Sequence, residues 1–476
     1  MKNSDRKPRS VETWITVAIF GIIFLMMIVY LCFFVKNNEK ELINNSYNSR
    51  QKILAKENTR GMIYDRNGNI LARTFTDDNG KEYRAYPYAN LFAHAVGYST
   101  KGKTGVESAA NYYLINSSAS ITEKVENEVS GHKNPGNNVY TTFDKELQQV
   151  AYDSLGAFKG AVVVSNVKTG EILAMVSKPD FDPNNIVEDW DKYINDKSST
   201  VLLNRVTGGI YPPGSTFKIV TALEYLKEHP DDYEDYSYNC NGHFKRDNIK
   251  IQCYHGMSHG QVNFRKAFAK SCNCSFTNMG LGLDRNAYGE TLNDLLFNQK
   301  LPLDYNYTIS NLEVNELTTD EDMAQIAFGQ GKACVTPILM NMITNAIANK
   351  GVLMKPQELS KAVDADGNLL YEWEPEVYKT LMTEEQAAIL TDYMCAVIED
   401  GGSGTKLQSE HYKAAGKTGS ADFKDDQIDS HAWFTGFAPA EDPEISVTII
   451  VENVGSGGEY AVPYAKRIFD CYFGVQ

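Results

Sequence analysis

Residues 14–35 (WITVAIFGIIFLMMIVYLCFFV) carry no charge, and this run constrains the chain more than any other feature. Inside a bilayer every backbone N–H and C=O must be paired within the segment itself. The run must therefore be a helix, and it is long enough to cross a hydrocarbon core of about 30 Å. Lys2, Arg6, Lys7 and Arg9 precede it against Asp5 and Glu12, a bias that keeps the short N-terminus in the cytoplasm and sends everything after Lys36 outside. A cleaved leader would have a shorter apolar core and a small-residue cleavage site. Here Lys36-Asn37-Asn38-Glu39-Lys40 follows, as expected of an uncleaved anchor. The expected plan is a cytoplasmic tail over 1–10, an anchor over 11–35 and an extracytoplasmic remainder.

The chain of 476 residues carries a net charge of -15, which excludes the basic footprint of a nucleic-acid binder and leaves length for two or three domains. Residues 36–60 are polar and read as a juxtamembrane helix or stalk. From Arg60 to residue 138, short apolar runs alternate with Gly, Asn and Ser turns, and Asn67-Gly68 marks a hairpin. Stalk and hairpins together make a small β-rich pedestal domain over 36–138. A second composition begins at residue 139. Leu147, Val150, Ala151 and Leu155 share one face of a helix over 145–155. Segments 161–167 and 171–177 flank Lys168-Thr169-Gly170 as a hairpin. Segments 433–437 and 445–452 continue a β-rich region that starts at Lys417, and 464–473 reads as a closing helix. Strands at both ends with helices between predict an α+β domain over 139–476 whose sheet carries Lys417.

Three short motifs carry chemistry: Ser215-Thr216-Phe217-Lys218, Ser271-Cys272-Asn273 and Lys417-Thr418-Gly419. Each alone is a chance tripeptide or tetrapeptide. S-x-x-K recurs at Ser4, Ser49, Ser130, Ser165 and Ser403, and K-T-G at Lys103 and Lys168. Position selects among them. Tyr211-Pro212-Pro213-Gly214 disfavours helix before Ser215 and 219–226 favours it after. Ser215 thus stands at a helix N-terminus, where free N–H groups and the positive dipole end suit an oxyanion. Lys218 shares its face. It takes a hydroxyl proton only as the neutral amine, which burial and a second cation such as Lys417 would favour.

Ser271 beside Lys218 would relay that proton to a leaving amine, and Asn273 would bind a substrate amide; both follow an amphipathic stretch, 262–269. Lys417 would hold a substrate carboxylate, helped by the hydroxyls of Thr418 and Ser420, while Gly419 lets the backbone approach the substrate. The N–H groups of Ser215 and Ser420 are the expected oxyanion donors. This is serine acyl transfer without histidine, and it requires no cofactor for catalysis.

A wider set accompanies the motifs: Arg60-Gly61-Met62-Ile63-Tyr64-Asp65-Arg66-Asn67-Gly68, Gly170-Glu171-Ile172-Leu173-Ala174-Met175, Asn204-Arg205, Gly329-Gln330-Gly331 with Thr336-Pro337, and Trp433-Phe434-Thr435-Gly436. In this set the chain resembles the class B penicillin-binding proteins, the single-pass D,D-transpeptidases of bacterial cell-wall synthesis, along nearly everything after residue 10. The resemblance implies a penicillin-binding, serine β-lactamase-like transpeptidase domain on a dimerisation-like pedestal in the bacterial cell membrane. It implies that Ser215 attacks the penultimate D-Ala carbonyl of a stem peptide, that terminal D-Ala leaves, and that an amine of a second strand resolves the acyl-enzyme. The implied partners are D-Ala-D-Ala stem peptides, β-lactam antibiotics and a membrane glycosyltransferase of the shape-elongation-division-sporulation group. No glycosyltransferase domain precedes the pedestal, which argues against class A, and Ser420 keeps the hydroxyl where many relatives carry threonine.

The same residues would serve a hydrolase, either a D,D-carboxypeptidase or a β-lactamase. That reading needs a base to aim water, and no carboxylate is identifiable for it. A β-lactam sensor needs a cytoplasmic output domain, and a non-catalytic scaffold activating a polymerase would tolerate a lost motif residue; none is lost. Cys240, Cys253, His259 and Cys272 fall in the stretch from the nucleophile helix to the second motif, which contains Cys272. Cys3His is a common structural zinc set, although this spacing is not that of a standard finger. Some elongation-type relatives hold a metal at similar positions. A Cys240–Cys253 disulfide and buried apolar thiols are the alternatives. A metal here would brace the loop presenting Ser271 and Asn273.

Overall fold

The computed structural model describes residues 10–44, 50–421 and 430–475; the charges at Lys2, Arg6, Lys7 and Arg9 lie outside the described residues, as does 45–49 of the stalk. Helix Ser10–Asn44 holds the apolar run, and Thr13–Lys36 within it has a mean hydropathy of 2.9 and none of its length buried in the protein. The apolar part of this N-terminal helix is therefore exposed, as that of a membrane anchor is. At about 1.5 Å per residue the 35-residue helix outruns a bilayer core, so its C-terminal part forms the start of the stalk.

The Asn67-Gly68 hairpin joins strands Ile63–Tyr64 and Ile70–Thr76. Asp65 drives the reversal: its Oδ1 accepts from the backbone N–H of Asn67 and Asn69 (2.9 and 2.7 Å), and Gly68 takes the positive φ of 85°. Strand Asn138–Thr141 pairs in parallel with Ile63–Tyr64, and Leu359–Val363 then Leu369–Glu372 extend the same sheet to six strands. The boundary drawn at residue 138 thus runs through a shared sheet. Pairing beyond local hairpins is long-range and has no marker in the sequence, and it ties the pedestal rigidly to the larger domain. A buried Glu107 clamps the pedestal further, accepting from Arg60 Nε (2.6 Å) and Arg84 Nε (2.7 Å).

The larger domain is built on a five-stranded antiparallel sheet in the order Ala415–Ala421, His431–Ala438, Ile445–Val451, Gly160–Asn166, Ile172–Lys178. The three inner strands are buried almost without break, so both faces of the sheet are covered. Helix Pro337–Ala348, buried along its whole length, packs on the central strands; Lys145–Leu155 and Ala461–Tyr472 pack on the sheet and on each other. The Lys168 copy of K-T-G is the hairpin turn of this sheet, with Gly170 at φ 79°. The closing helix begins three residues earlier than the apolar pattern indicated. The stretch 262–269 is not one helix: Gly260–Asn263 is a strand paired with Ser237–Cys240, and Asn263 then caps helix Phe264–Ala269 by accepting from Lys266 N (2.9 Å).

Candidate active site

Ser215 lies in a 3-10 turn, Gly214–Phe217, that runs directly into helix Lys218–Glu228. The turn is pinned on two sides. Gly214 has φ 53° and its N–H donates to Gly329 O (2.9 Å), while a side chain on Gly329 would stand 2.0 Å from Gly214 O. From the sheet, Trp433 Nε1 donates to Pro212 O (3.0 Å).

Lys218, fully buried, is the hub where the motifs meet. Its Nζ lies 3.1 Å from Ser215 Oγ, 2.7 Å from Ser271 O, 3.2 Å from Ser271 Oγ and 2.7 Å from Asn273 Oδ1. Among the described residues it has no carboxylate partner. Burial lowers its pKa to about 8, against the opposing pull of the Cys272, Cys253 and Cys274 sulfurs. In the neutral amine the two short contacts go to pure acceptors and take both N–H groups, leaving the lone pair for the Ser215 O–H. Ser271 reaches its place at the end of helix Phe264–Ala269 by adopting φ 55°, a left-handed conformation that normally falls to glycine. There its Oγ sits between the two lysines, 2.9 Å from Lys417 Nζ.

Several expected roles change in detail. Lys417 is fully buried on the edge strand, donating to Ser271 Oγ and Thr418 O (3.0 Å), behind the cleft wall and not open to it. Its pKa is pulled well below the usual lysine range by burial and then by Lys218. Burial is the leading cause for both lysines. Asn273 is already engaged on both sides, accepting from Lys218 and donating from Nδ2 to Gln252 O (3.1 Å). Its first role is to orient the amine. A side chain on Gly419 would meet Pro213 O at 2.9 Å and Thr216 Cγ2 at 3.1 Å. That glycine admits the nucleophile turn to the strand and is not primarily a substrate clearance.

The cleft in front of these groups encloses about 330 Å³ and is walled by Ser215, Ser271, Asn273, Thr418 and Ser420 together with Ser403. Ser403 entered the sequence reading only as a chance copy of S-x-x-K, not as a site residue. It sits in Gly401-Gly402-Ser403-Gly404, and its Oγ lies 2.6 Å from Thr418 Oγ1. The glycine-rich loop was the available signal. The Ser420 hydroxyl accepts from Gly457 N (3.3 Å), so the hydroxyls of 403, 418 and 420 form one polar row.

Behind segment 271–274 the atoms Cys240 Sγ, Cys253 Sγ, His259 Nδ1 and Cys272 Sγ all fall within 4.8 Å of one another. Cys240 and Cys253 are 3.7 Å apart, Cys253 and Cys272 3.8 Å, and Cys240 and His259 3.5 Å. The Cys240–Cys253 disulfide considered above is absent: both are free thiols. Gly242 N and Ser275 N each donate to a sulfur, Cys240 and Cys272, at 3.4 Å. Cys274, not singled out in the sequence, adds a further thiol 3.4 Å from Cys253. Cys253 is pulled down by the hydrogen bonds of Cys272 and Cys274, and the same contacts push those two up.

Residues 160–470 match the penicillin binding protein transpeptidase domain, and residues 60–139 the penicillin binding protein A dimerisation domain. The chain is 30% identical over 453 residues to a peptidoglycan D,D-transpeptidase, PbpA, of Mycolicibacterium smegmatis, covering 87% of this chain and 90% of that one. Its fold superposes with a TM-score of 0.78 on a D,D-transpeptidase domain from Eggerthella lenta, 27% identical, over 88% of this chain and 99% of the other. The ceftriaxone acyl-enzyme of penicillin-binding protein A from M. tuberculosis gives the same TM-score at 25% identity, with 88% and 99% covered.

Proposed function

The chain belongs to the penicillin-binding transpeptidases, and we propose how it works as a serine-type peptidoglycan D,D-transpeptidase. One observation carries the assignment of roles: a single buried amine, Lys218 Nζ, touches Ser215, Ser271 and Asn273 at once. The neutral amine takes the Ser215 proton as Oγ bonds to the penultimate D-Ala carbonyl carbon. The oxyanion is met by the N–H groups of Ser215 and Ser420. Ser271 passes the proton to the nitrogen of terminal D-Ala, the C–N bond breaks and D-Ala departs. The amine of a second stem peptide then attacks the ester carbonyl and its proton returns along the same path to Ser215. The hydroxyl row of Ser403, Thr418 and Ser420 receives the carboxylate of the terminal D-Ala, whose charge draws a proton onto Lys417 behind it. β-Lactams, whose acyl-enzymes the M. tuberculosis relative forms, acylate the same serine here.

On this reading the basic flank before the apolar helix favours an extracytoplasmic domain at the cytoplasmic membrane, working with a glycosyltransferase of the shape-elongation-division-sporulation group that supplies the strands. Cys240, Cys253, His259 and Cys272 would hold a structural zinc. Sulfurs on a tetrahedral zinc with bonds of about 2.3 Å stand about 3.8 Å apart, close to the 3.7 and 3.8 Å between these thiols. Backbone N–H groups already aimed at two sulfurs favour thiolates. The ion would brace the loop carrying Ser271 and Asn273.

Fluorescent penicillin tests the central assignment. Wild-type protein is covalently labelled and Ser215→Ala is not; label surviving in the variant removes Ser215 as the nucleophile. A thioester donor with a D-amino acid acceptor then yields transfer product in excess of hydrolysis. Elemental analysis showing no zinc in protein purified without chelator would remove the metal.

A further inference from the structure

Among the described residues that wall the cleft in front of Ser215 there is no carboxylate, although the chain as a whole carries a net charge of -15. The wall holds one ammonium side chain, that of Lys270; Lys218 and Lys417 are buried behind it. Lys270 differs from the cations beside it on the same helix. Lys266 Nζ donates to Gln261 O (2.9 Å), and Arg265 is paired with Asp392 and Glu399. Lys270 is half-buried, and among the described residues its ammonium has neither a hydrogen bond nor an ion pair. A lysine without a counter-charge, in a cleft without a carboxylate, makes that cleft selective for anions.

The place of Lys270 in the fold decides which end of the cleft it serves. It follows helix Phe264–Ala269, its N–H donating to Lys266 O (3.0 Å), and it immediately precedes Ser271. Ser403 N donates to Ala269 O (3.3 Å), and Ser403 Oγ lies 2.6 Å from Thr418 Oγ1. The Gly401-Gly402-Ser403 loop is thus fastened to the helix end that carries Lys270, and its two glycines line the cleft without side chains to fill the space. Lys270 therefore belongs to the end where Ser271 hands a proton to the leaving nitrogen and the hydroxyl row holds a carboxylate. The amine that resolves the acyl-enzyme enters at this same end, because its nitrogen takes the position that the D-Ala nitrogen vacated and returns its proton by the same path.

Given the transpeptidase reading of this cleft, on which the inference rests, we propose that Lys270 selects the acceptor. The preferred acceptor amine sits on a carbon that bears a free carboxylate, as in D-Ala itself or at one end of a diamino diacid, and not on an unsubstituted methylene. The ammonium holds that carboxylate while the acceptor nitrogen bonds to the ester carbonyl carbon, the C–Oγ bond breaks and the amine proton returns through Ser271 and Lys218 to Ser215 Oγ. The carboxylate of the leaving D-Ala meets the same cation. Every stem-peptide donor supplies that group, so Lys270 discriminates only in the second step.

The test uses full-length protein in detergent and an N-acyl-D-alanyl thioester whose thiol carries no carboxylate, so that the acyl-enzyme forms without help from Lys270. D-Alanine and D-alaninamide then compete as acceptors, and the products give the ratio of transfer to the two. In Lys270→Gln that ratio falls about fivefold from its wild-type value, the upper worth of a partly exposed charge pair. Lys270→Glu lowers it further, and Lys270→Arg keeps it near wild type. Comparing variant with wild type cancels the differing basicity of the two amines. An unchanged ratio in both Lys270→Gln and Lys270→Glu, including an equal loss of transfer to both acceptors, would overturn the proposal and leave Lys270 a structural residue. Fluorescent penicillin is run beside each protein. A wild type that neither labels nor transfers to either acceptor would instead overturn the transpeptidase reading.

Discussion

Two buried polar sets lie back to back across residues 271–274, and they solve the same problem in opposite ways. Ser271 and Asn273 face the lysines; Cys272 and Cys274 face Cys253. The lysine set is rich in hydrogen bonds and has no carboxylate. It relieves the cost of buried charge by giving up a proton, which leaves a base beside Ser215. Among the described residues the thiol set has few donors, and hydrogen bonds from Cys272 and Cys274 pull Cys253 down while raising those two. A low-dielectric interior thus makes the lysine set reactive, and on the proposed reading the thiol set is completed by a metal. The alternation of side chains along four residues allows a single segment to serve both.

The sharpest way to break this contrast is to remove the base. Lys218→Met should lower the rate of acylation by benzylpenicillin about 10³- to 10⁴-fold, the usual worth of a positioned general base; a loss under tenfold would transfer the role to another group. In the wild type the acylation rate should rise with pH and level off above about 8, where Lys218 is neutral. The stability effect has the same sign. Below about 8 both folded and unfolded chains hold the Lys218 proton and the burial cost is fully present; between about 8 and 10.5 the unfolded chain alone keeps it, so stability rises with pH across that window. Lys218→Met should flatten that rise.

The thiol set is the next target. Stripping metal with a chelator, or Cys253→Ser, should lower the melting temperature by several degrees and slow acylation about tenfold while leaving Ser215 able to label to completion. An unchanged melting temperature would make the cluster a set of packed thiols. Ser403→Ala tests the hydroxyl row: kcat/KM for a carboxylate-bearing donor should fall about fivefold, mostly through KM, as one neutral hydrogen bond is lost. The smallest effect is expected where strain is stored. Ser271→Gly should raise unfolding stability by about 0.5–1 kcal/mol by relieving the left-handed backbone, while acylation falls; destabilisation in a denaturant melt would mean that φ 55° costs nothing there.

Much of this molecule was legible before any coordinates. The anchor, the Asn67-Gly68 hairpin, the helix over 145–155 and the helix start at Lys218 follow from local chemistry: apolar length, turn residues, periodicity and prolines. The strand within 262–269 and the sheet shared across residue 138 depend on strand partners far along the chain. Tyr238 pairs with Val262, and Val139 with Ala362, contacts that no window of sequence displays. Ser403 was missed because a serine in a glycine-rich loop is an ordinary turn until Thr418 is folded against it.

Residue order was sufficient for the identity and class of the reacting groups, because a nucleophile, a base and an anion site each demand particular side chains at short spacing from particular backbone features. Folding assigned their duties. Lys417 is buried behind Ser271, Asn273 is spent on Lys218, and Gly419 makes room for the nucleophile turn. Burial and mutual distance set protonation states and free valences, and those arise only when segments distant in the chain are packed together.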